Sequence, residues 1–247
     1  MTVVLLQPEW PVHDRVGAAF SFRSGGVSAP PWSSLNLGSH VGDDPAAVAE
    51  NRHRLAVAAQ LPGEPLWLQQ VHGIEVCDAD APGTGQPPLA DAAVTHTPGR
   101  VLAVQVADCL PVLIADDAGT VAAVAHAGWR GLAAGVIERA VAATAVASSR
   151  LHAWLGPCIS APHFEVGDEV RAAFIAHDAA AAAAFRANAR GRWQCDLLLL
   201  ARQRLSAAGV LRVSDSGICA FADAARCFSY RRDGRTGRMA ALVWLRS

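Results

Sequence analysis

Three features place this 247-residue chain in the α/β (α+β) class. Between residues 101 and 127, apolar runs rich in β-branched residues alternate with polar stops and turns. Elsewhere the chain carries helix boundary signals, with Asp44-Pro45 opening one segment and Asp196 and Gly209 bracketing another. The composition, 52% hydrophobic and 17% charged with a formal net charge of −1, is that of a globular chain with a sizeable core.

In chain order, residues 1–22 read as a short strand, a loop through Pro11 and His13, and a strand ending in AAFSF. Residues 23 to 42 form a long loop with glycines and a Pro30-Pro31 break, a length that often signals function. A helix is expected over 45–59, with Asp44 as N-cap and Pro45 in its first turn. Of its arginines, one is expected to turn inward. Leu66 to Val71 reads as a strand ending at His72-Gly73, with Ile74 to Val76 resuming it as a hairpin. Residues 78–90 are a Gly/Pro-rich connection, and Asp91 to Thr95 re-enters a strand.

The central stretch then runs VLAVQV, Ala107-Asp108-Cys109, LPVLIA, a turn at Ala118-Gly119-Thr120, VAAVA and His126. Gly128-Trp129-Arg130-Gly131 opens an alanine-rich helix expected over 131–148. Further strands are expected at Leu151 to Leu155, near Val213 and at Met239 to Leu245, with helices from Asp168 to Phe174 and Leu197 to Ala208. The tract DAAAAAAFRANAR reads as a mobile helix plus loop.

A near-neutral charge gives no reason to expect nucleic acid or an anionic membrane as partner. The apolar stretch Val101 to Ala115 is too short and too interrupted to span a bilayer. The start, MTVVLLQPEW, lacks the basic region of a signal peptide, and six dispersed cysteines suit reduced thiols in a cytoplasm.

His72, Cys109 and His126 share one position type, each beside a strand end and a glycine or polar break. Two imidazoles and a thiolate suit Zn²⁺ with a fourth position left open. A buried cysteine beside two hydrogen-bonded histidines reads equally well from spacing alone. The loop Gly128 to Gly131 is either an anion site at a helix start, with Arg130 nearby, or a close-packed turn. Arg23, Arg52, Arg231 and Arg232 either complete an anion or ribose site or are surface charges. Asp91 and Asp108 either orient a histidine or are strand-end polar groups; Cys158 reads as structural. P-loop, dinucleotide, G-x-S-x-G and zinc-deaminase patterns are absent from the sequence.

The segments FSFRSGGVSAPPWSSLNLGSHVGDDP, NRHRL, WLQQVHG, ADAAVT, LAVQVADCLPVLIAD, VAHAGWRGLAAGV, WLGPCIS, FEVG and SYRRDGRTGRMAALVWL resemble, in the same order, the YfiH family. That family is also called the laccase-domain or multicopper polyphenol oxidoreductase family. The resemblance covers nearly all of residues 1–247 and implies one catalytic domain. It implies layered mixed sheets flanked by helices, similar to cytotoxic-necrotizing-factor-like hydrolases. It implies zinc on His72, Cys109 and His126, which are also the catalytic residues. The implied activity is purine nucleoside phosphorylase: adenosine, inosine and S-methyl-5′-thioadenosine cleaved by phosphate, with adenosine deamination as a second activity. The expected partners are a purine nucleoside and phosphate, with no nucleic acid and no membrane, in a monomer or homodimer.

On that reading the nucleoside lies between the 23–40 loop, with Arg23 and Asn36, and the central strands. Phosphate lies near Gly128 and Arg130, with Arg52 in support. The nine histidines form no His-x-His pair, which argues against multicopper oxidation, although copper at the same three ligands is plausible. The rival expectations are a Cys-His amide hydrolase acting on a peptidoglycan precursor, a copper-dependent phenol oxidase, and a purely structural site.

Overall fold

A computed structural model describes residues 2–83 and 85–247; Met1 and Thr84, the latter within the 78–90 connection, lie outside the described residues. The elements run β1 (Leu5–Leu6), β2 (Val16–Ser21), α1 (Pro45–Ala58), β3 (Pro65–Trp67), β4 (Val76–Asp78) and β5 (Ala92–Thr95). The central stretch gives β6 (Val101–Val106), β7 (Leu110–Asp116), β8 (Ala122–Ala127), α2 (Trp129–Ala134) and α3 (Val136–Ala143). There follow β9 (Leu151–Leu155), β10 (Glu165–Val166), α4 (Asp168–Ile175), β11 (Phe185–Ala187), β12 (Trp193–Cys195) and α5 (Leu197–Ala207). The chain closes with β13 (Arg212–Asp215), α6 (Tyr230–Asp233) and β14 (Met239–Leu245).

Two mixed sheets carry the fold, one in the order β1-β2-β14-β6-β3 and the other β13-β9-β7-β8-β5-β4. They are stacked face to face. Leu102, Val104, Val243 and Phe20 of the first pack against Leu113, Ala115 and Val124 of the second in one core. The alternate residues of β7 and β8, Val112, Ile114, Ala123 and Ala125, face a helical layer through Val136, Ile137, Leu200 and Leu205. The outer face of the first sheet, including Ala103, Leu242 and Trp244, is covered by Leu55 of α1 and by Leu35 and Leu37 of the long loop. Both faces of both sheets are thus buried, which is why their strands read as continuous apolar runs instead of alternating ones.

The long loop is tethered from α1. The fully buried Asn51 donates to Ser28 Oγ (2.8 Å) and the carbonyl of Asn36 (2.9 Å) and accepts from the Val27 amide (2.8 Å). Asp44 caps the helix as expected, accepting from Ala46 N at 2.9 Å.

Four local expectations are corrected. The strand expected over Leu66 to Val71 stops at Trp67, because Gln70 pairs through its carboxamide with the backbone of Gln105 (2.7 and 2.9 Å) and the chain leaves the sheet. The segment after His72 does not return as a hairpin; β4 joins the other sheet, parallel to β5. The helix expected over 131–148 is broken at Gly135 (φ +103°) into α2 and α3 and ends at Ala143. The alanine tract forms a 3₁₀ turn whose Ala181 and Ala184 enter the core, and then β11, which pairs with β12.

Candidate metal centre and its flanking cavities

His72 stands where the chain crosses from the first sheet to the second, and it holds a left-handed backbone conformation (φ +61°). Cys109 lies between β6 and β7, preceded by Asp108 at φ +96°. His126 is the penultimate residue of β8. Non-glycine residues in this conformation cost free energy and cluster at functional sites.

The three side chains converge. One ligand atom from each of His72, Cys109 and His126 lies within 4.8 Å of the others, and Cys109 Sγ is 3.7 Å from His72 Nε2. The two imidazoles pack edge to face with centroids 4.7 Å apart, the sulfur beside both, and His126 is buried while His72 reaches solvent. Gly128 makes this approach possible: a Cβ there would fall 2.7 Å from His72 Cδ2 and 3.2 Å from Cys109 Sγ.

One carboxylate arranges the centre. Asp91, fully buried, accepts from the amides of Val71 (3.0 Å), His72 (2.9 Å) and Gly73 (2.7 Å) and lies 2.8 Å from His126 Nδ1. A carboxylate only accepts, so His126 Nδ1 carries a proton and Nε2 is the nitrogen turned towards a metal. Burial pushes the Asp91 carboxyl up, but the bonds from His126, Val71 and Gly73 outweigh it and hold it below its ordinary value. Burial likewise pushes the Cys109 thiol up, but the His126 charge and hydrogen bonds from both histidines prevail, bringing it down to about 6. Against its own burial, His126 is raised to about 9 by Cys109 and Asp91. A thiolate in reach of two imidazoles suits a borderline-soft divalent ion, whose binding would displace the second proton of His126. This group can hold a metal.

One cavity opens onto the centre, and a second lies on the loop side, reaching Val71 next to His72. A narrow cleft of about 170 Å³ on the helical side is lined by His72, Asp108, Cys109, Trp129, Ile159 and Phe164, with Arg130, Leu197, Tyr230 and Arg231 around them. Asp108 accepts from Arg231 N (2.6 Å) while its Oδ1 is buried without a partner, and burial pushes its carboxyl up. The second cavity, about 410 Å³, lies on the loop side and is lined by His40, Arg52, Trp67, Gln70, Val71 and Gln105 among others.

The remaining sequence candidates separate clearly. Arg130 is exposed at the cleft, stacked 4.3 Å over Trp129. Arg52 is the arginine of α1 that turns inward, donating to the Leu37 carbonyl (3.1 and 2.9 Å) above the Trp67 ring. Arg23 and Asn36 are not brought to the centre. Arg23 is spent on the carbonyls of Ser33 and Ala224, and Asn36, fully buried, on Gly38, Asp43 and Arg238. Cys158 is buried and its thiol is pushed well up by that burial. Sequence reasoning missed Phe164, Tyr230, His40, Gln105 and Arg238; Gln105 lies four residues before Cys109 but inside an apolar run that reads as core strand, and the others lie far along the chain from the ligands.

The fold and site together define a layered α/β protein with a two-His, one-Cys centre between its sheets. Residues 17–246 match the family described as multi-copper polyphenol oxidoreductase laccase, and the chain belongs to it. It is 50% identical over 244 residues to purine nucleoside phosphorylase YfiH of Escherichia coli K12, covering 98% of each chain. With a purine nucleoside phosphorylase of Pseudomonas aeruginosa the identity is 52% over 241 residues, covering 97% of this chain and 98% of the relative. The crystal structure of Neisseria meningitidis protein NMB0706 superposes with a TM-score of 0.94 at 45% identity, covering 98% of this chain and 99% of that one. Among the described residues, no helix is long and apolar enough to cross a membrane.

Proposed function

We propose that this protein is a zinc-associated purine nucleoside phosphorylase acting on adenosine, inosine and S-methyl-5′-thioadenosine, with adenosine deamination as a second activity. The observation that carries the reading is the convergence of His72, Cys109 and His126 on one point at the edge of an aromatic-walled cleft. The names of its relatives support phosphorolysis as the class of reaction.

The purine lies in the cleft against Trp129, Phe164 and Ile159, flat rings on flat rings, with the ribose towards the centre. A phosphate oxygen attacks C1′, and the C1′–N9 electron pair leaves with the base, giving pentose 1-phosphate. Arg130 and Arg231 lend positive potential to the cleft where the departing purine gathers negative charge. His72, Cys109 and His126 would hold the zinc, and Asp91 orients the His126 ring and anchors the His72 backbone. Zinc bound there would supply Lewis acidity, the chemistry that deamination at C6 requires.

The described residues offer one such group of three ligands, enough for a single ion, which favours this reading over oxidation by several coppers. The decisive experiment is product analysis of adenosine with and without phosphate. Adenine and ribose 1-phosphate appearing only with phosphate supports the reading, inosine in both supports the second activity, and neither product refutes it. Cys109→Ala is expected to lose both activities and about one zinc per chain while staying folded. A covalent adduct on Cys109 of metal-free protein with a peptidoglycan precursor would instead favour the amide hydrolase.

A further inference from the structure

Arg52 and His40 line the second cavity, and Arg238 packs beside Gln105 of its wall. Arg52 uses Nε and Nη2 on the Leu37 carbonyl, and Arg238 uses Nη1 on the carbonyls of Thr236 and Gly237. Neither arginine, nor His40, makes an ion pair among the described residues, and the remaining guanidinium nitrogens, like the His40 ring, have no protein partner there. Arg238 and Gln105 meet at Gly38: a Cβ on that glycine would lie 2.7 Å from Arg238 Cγ and 3.3 Å from Gln105 Oε1. Arg238 also lies 5.9 Å from the ring of Tyr230, a residue of the aromatic cleft. Gln105 is 5% exposed, and its Oε1 is buried with no hydrogen-bond partner. Its parity on β6 explains the aim: Leu102, Val104 and Val106 face the opposite sheet, whereas Gln105 faces the loop side with Val101 and Ala103.

Arg238 and Arg52 set the local potential, with Glu64 the one negative charge acting on Arg52 among the described residues. Burial, and then the charges of Arg238 and Arg52, hold the His40 ring below its ordinary value, with His126 and His72 adding to the effect. The negative groups that reach Arg238 are Asp108 and the Cys109 sulfur, on the cleft side of it.

We propose that this loop-side cavity is the subsite for monohydrogen phosphate, held by Arg238, Arg52 and His40, with Gln105 Oε1 accepting the P–OH proton. The proposal rests on the phosphorolysis reading and moves the phosphate away from Gly128 and Arg130. α2 has six residues, too short for a strong N-terminal field, and Gly128 is occupied in admitting His72. The two guanidinium groups match the charge of the dianion, the neutral His40 ring offers one further N–H donor, and one acceptor matches the single proton. Sulfate carries the same charge and shape but no proton, so the pairing with Gln105 distinguishes the two.

The test is titration of the zinc-loaded protein with inorganic phosphate, and separately with sulfate, by calorimetry in the absence of nucleoside. His40→Ala, an exposed side chain with no partner to lose, and Arg238→Gln are expected to weaken phosphate binding about tenfold or more. Both are expected to raise the phosphate KM in parallel while leaving the nucleoside KM within about twofold of wild type. Gln105→Leu is expected to weaken phosphate and spare sulfate. Unchanged phosphate affinity in folded His40→Ala and Arg238→Gln, or its loss in Arg130→Ala instead, overturns the subsite. Phosphate binding that falls in these variants, in a protein that cleaves no nucleoside, upholds the subsite and overturns the phosphorylase reading.

Discussion

Asp91→Asn tests the organisation of the metal centre directly. The native carboxylate serves four polar hydrogens, those of the Val71, His72 and Gly73 amides and of His126 Nδ1, at 2.7–3.0 Å and out of contact with solvent. The amide keeps the volume but offers one oxygen, so two of the four bonds survive and its NH₂ confronts two N–H donors. Hydrogen bonds to a charged group are worth about 1.5–3 kcal/mol each, so the loss is about 3–6 kcal/mol, a large part of the 5–15 kcal/mol that typically holds a domain together. The effect on the centre is separable from that on the fold. Without its carboxylate, His126 loses its fixed tautomer and the loop at His72 its anchor, and zinc affinity is expected to fall about 10–100-fold. Chelator competition measures the affinity and thermal unfolding the stability. Asp116→Asn supplies the comparison. Asp116 is equally buried and accepts from Thr120 N, Thr120 Oγ1 and Val121 N, but it closes the far end of β7, about 20 Å from Cys109. It should lower stability and leave zinc affinity alone. If Asp91→Asn binds zinc as tightly as wild type, or if both variants weaken it equally, Asp91 does not organise the site.

Gly128→Ala places a methyl 2.7 Å from His72 Cδ2, so it is expected to displace that imidazole and cut zinc affinity at least about tenfold, with little change in far-UV circular dichroism. The Asp116 carboxyl is held below its ordinary value, its burial being outweighed by the bonds from Thr120 and Val121. A depressed carboxyl contributes stability above its unfolded pKa, near 3.9, and loses it as pH falls through the folded value. The wild type is therefore expected to destabilise more steeply than Asp116→Asn as pH falls below about 4, as read by denaturant midpoints. Leu113→Ala, fully buried between the two sheets, is expected to cost about 2–5 kcal/mol without altering the zinc stoichiometry.

The strands of the central stretch were legible because burial on both faces leaves a sequence little choice but a continuous apolar run. Expected and observed boundaries of β7, β9 and β14 agree within a residue or two. The N-cap at Asp44 and the helix end at Gly209 were legible for a different reason, since caps satisfy orphan backbone groups with adjacent side chains. Where the reading failed, the deciding partner was distant. β3 stops short because Gln70 finds the backbone of Gln105, 35 residues on, and the segment after it is drawn to the second sheet by Asp91. Gly135 carried a local signal, but an alanine-rich context that favours continuous helix masked it.

The same division explains the site. Its ligands were recognisable as residue types at strand ends, yet their separations of 37 residues (His72 to Cys109) and 17 residues (126 − 109) match no local geometry. Stacking the sheets makes them neighbours. β7 and β8 are antiparallel partners in register Leu110 to Ala127, which brings the residue before one strand beside the end of the other. His72 reaches the same point because Asp91, at the start of β5 and paired through its carbonyl with the His126 amide (2.7 Å), pins the crossing chain there. A buried acid that binds one ligand's ring and the other's backbone is thus the element that turns three scattered side chains into one centre. Its sequence signature, an aspartate ahead of a short apolar strand, is indistinguishable from any strand-end polar group until the opposite sheet is in place.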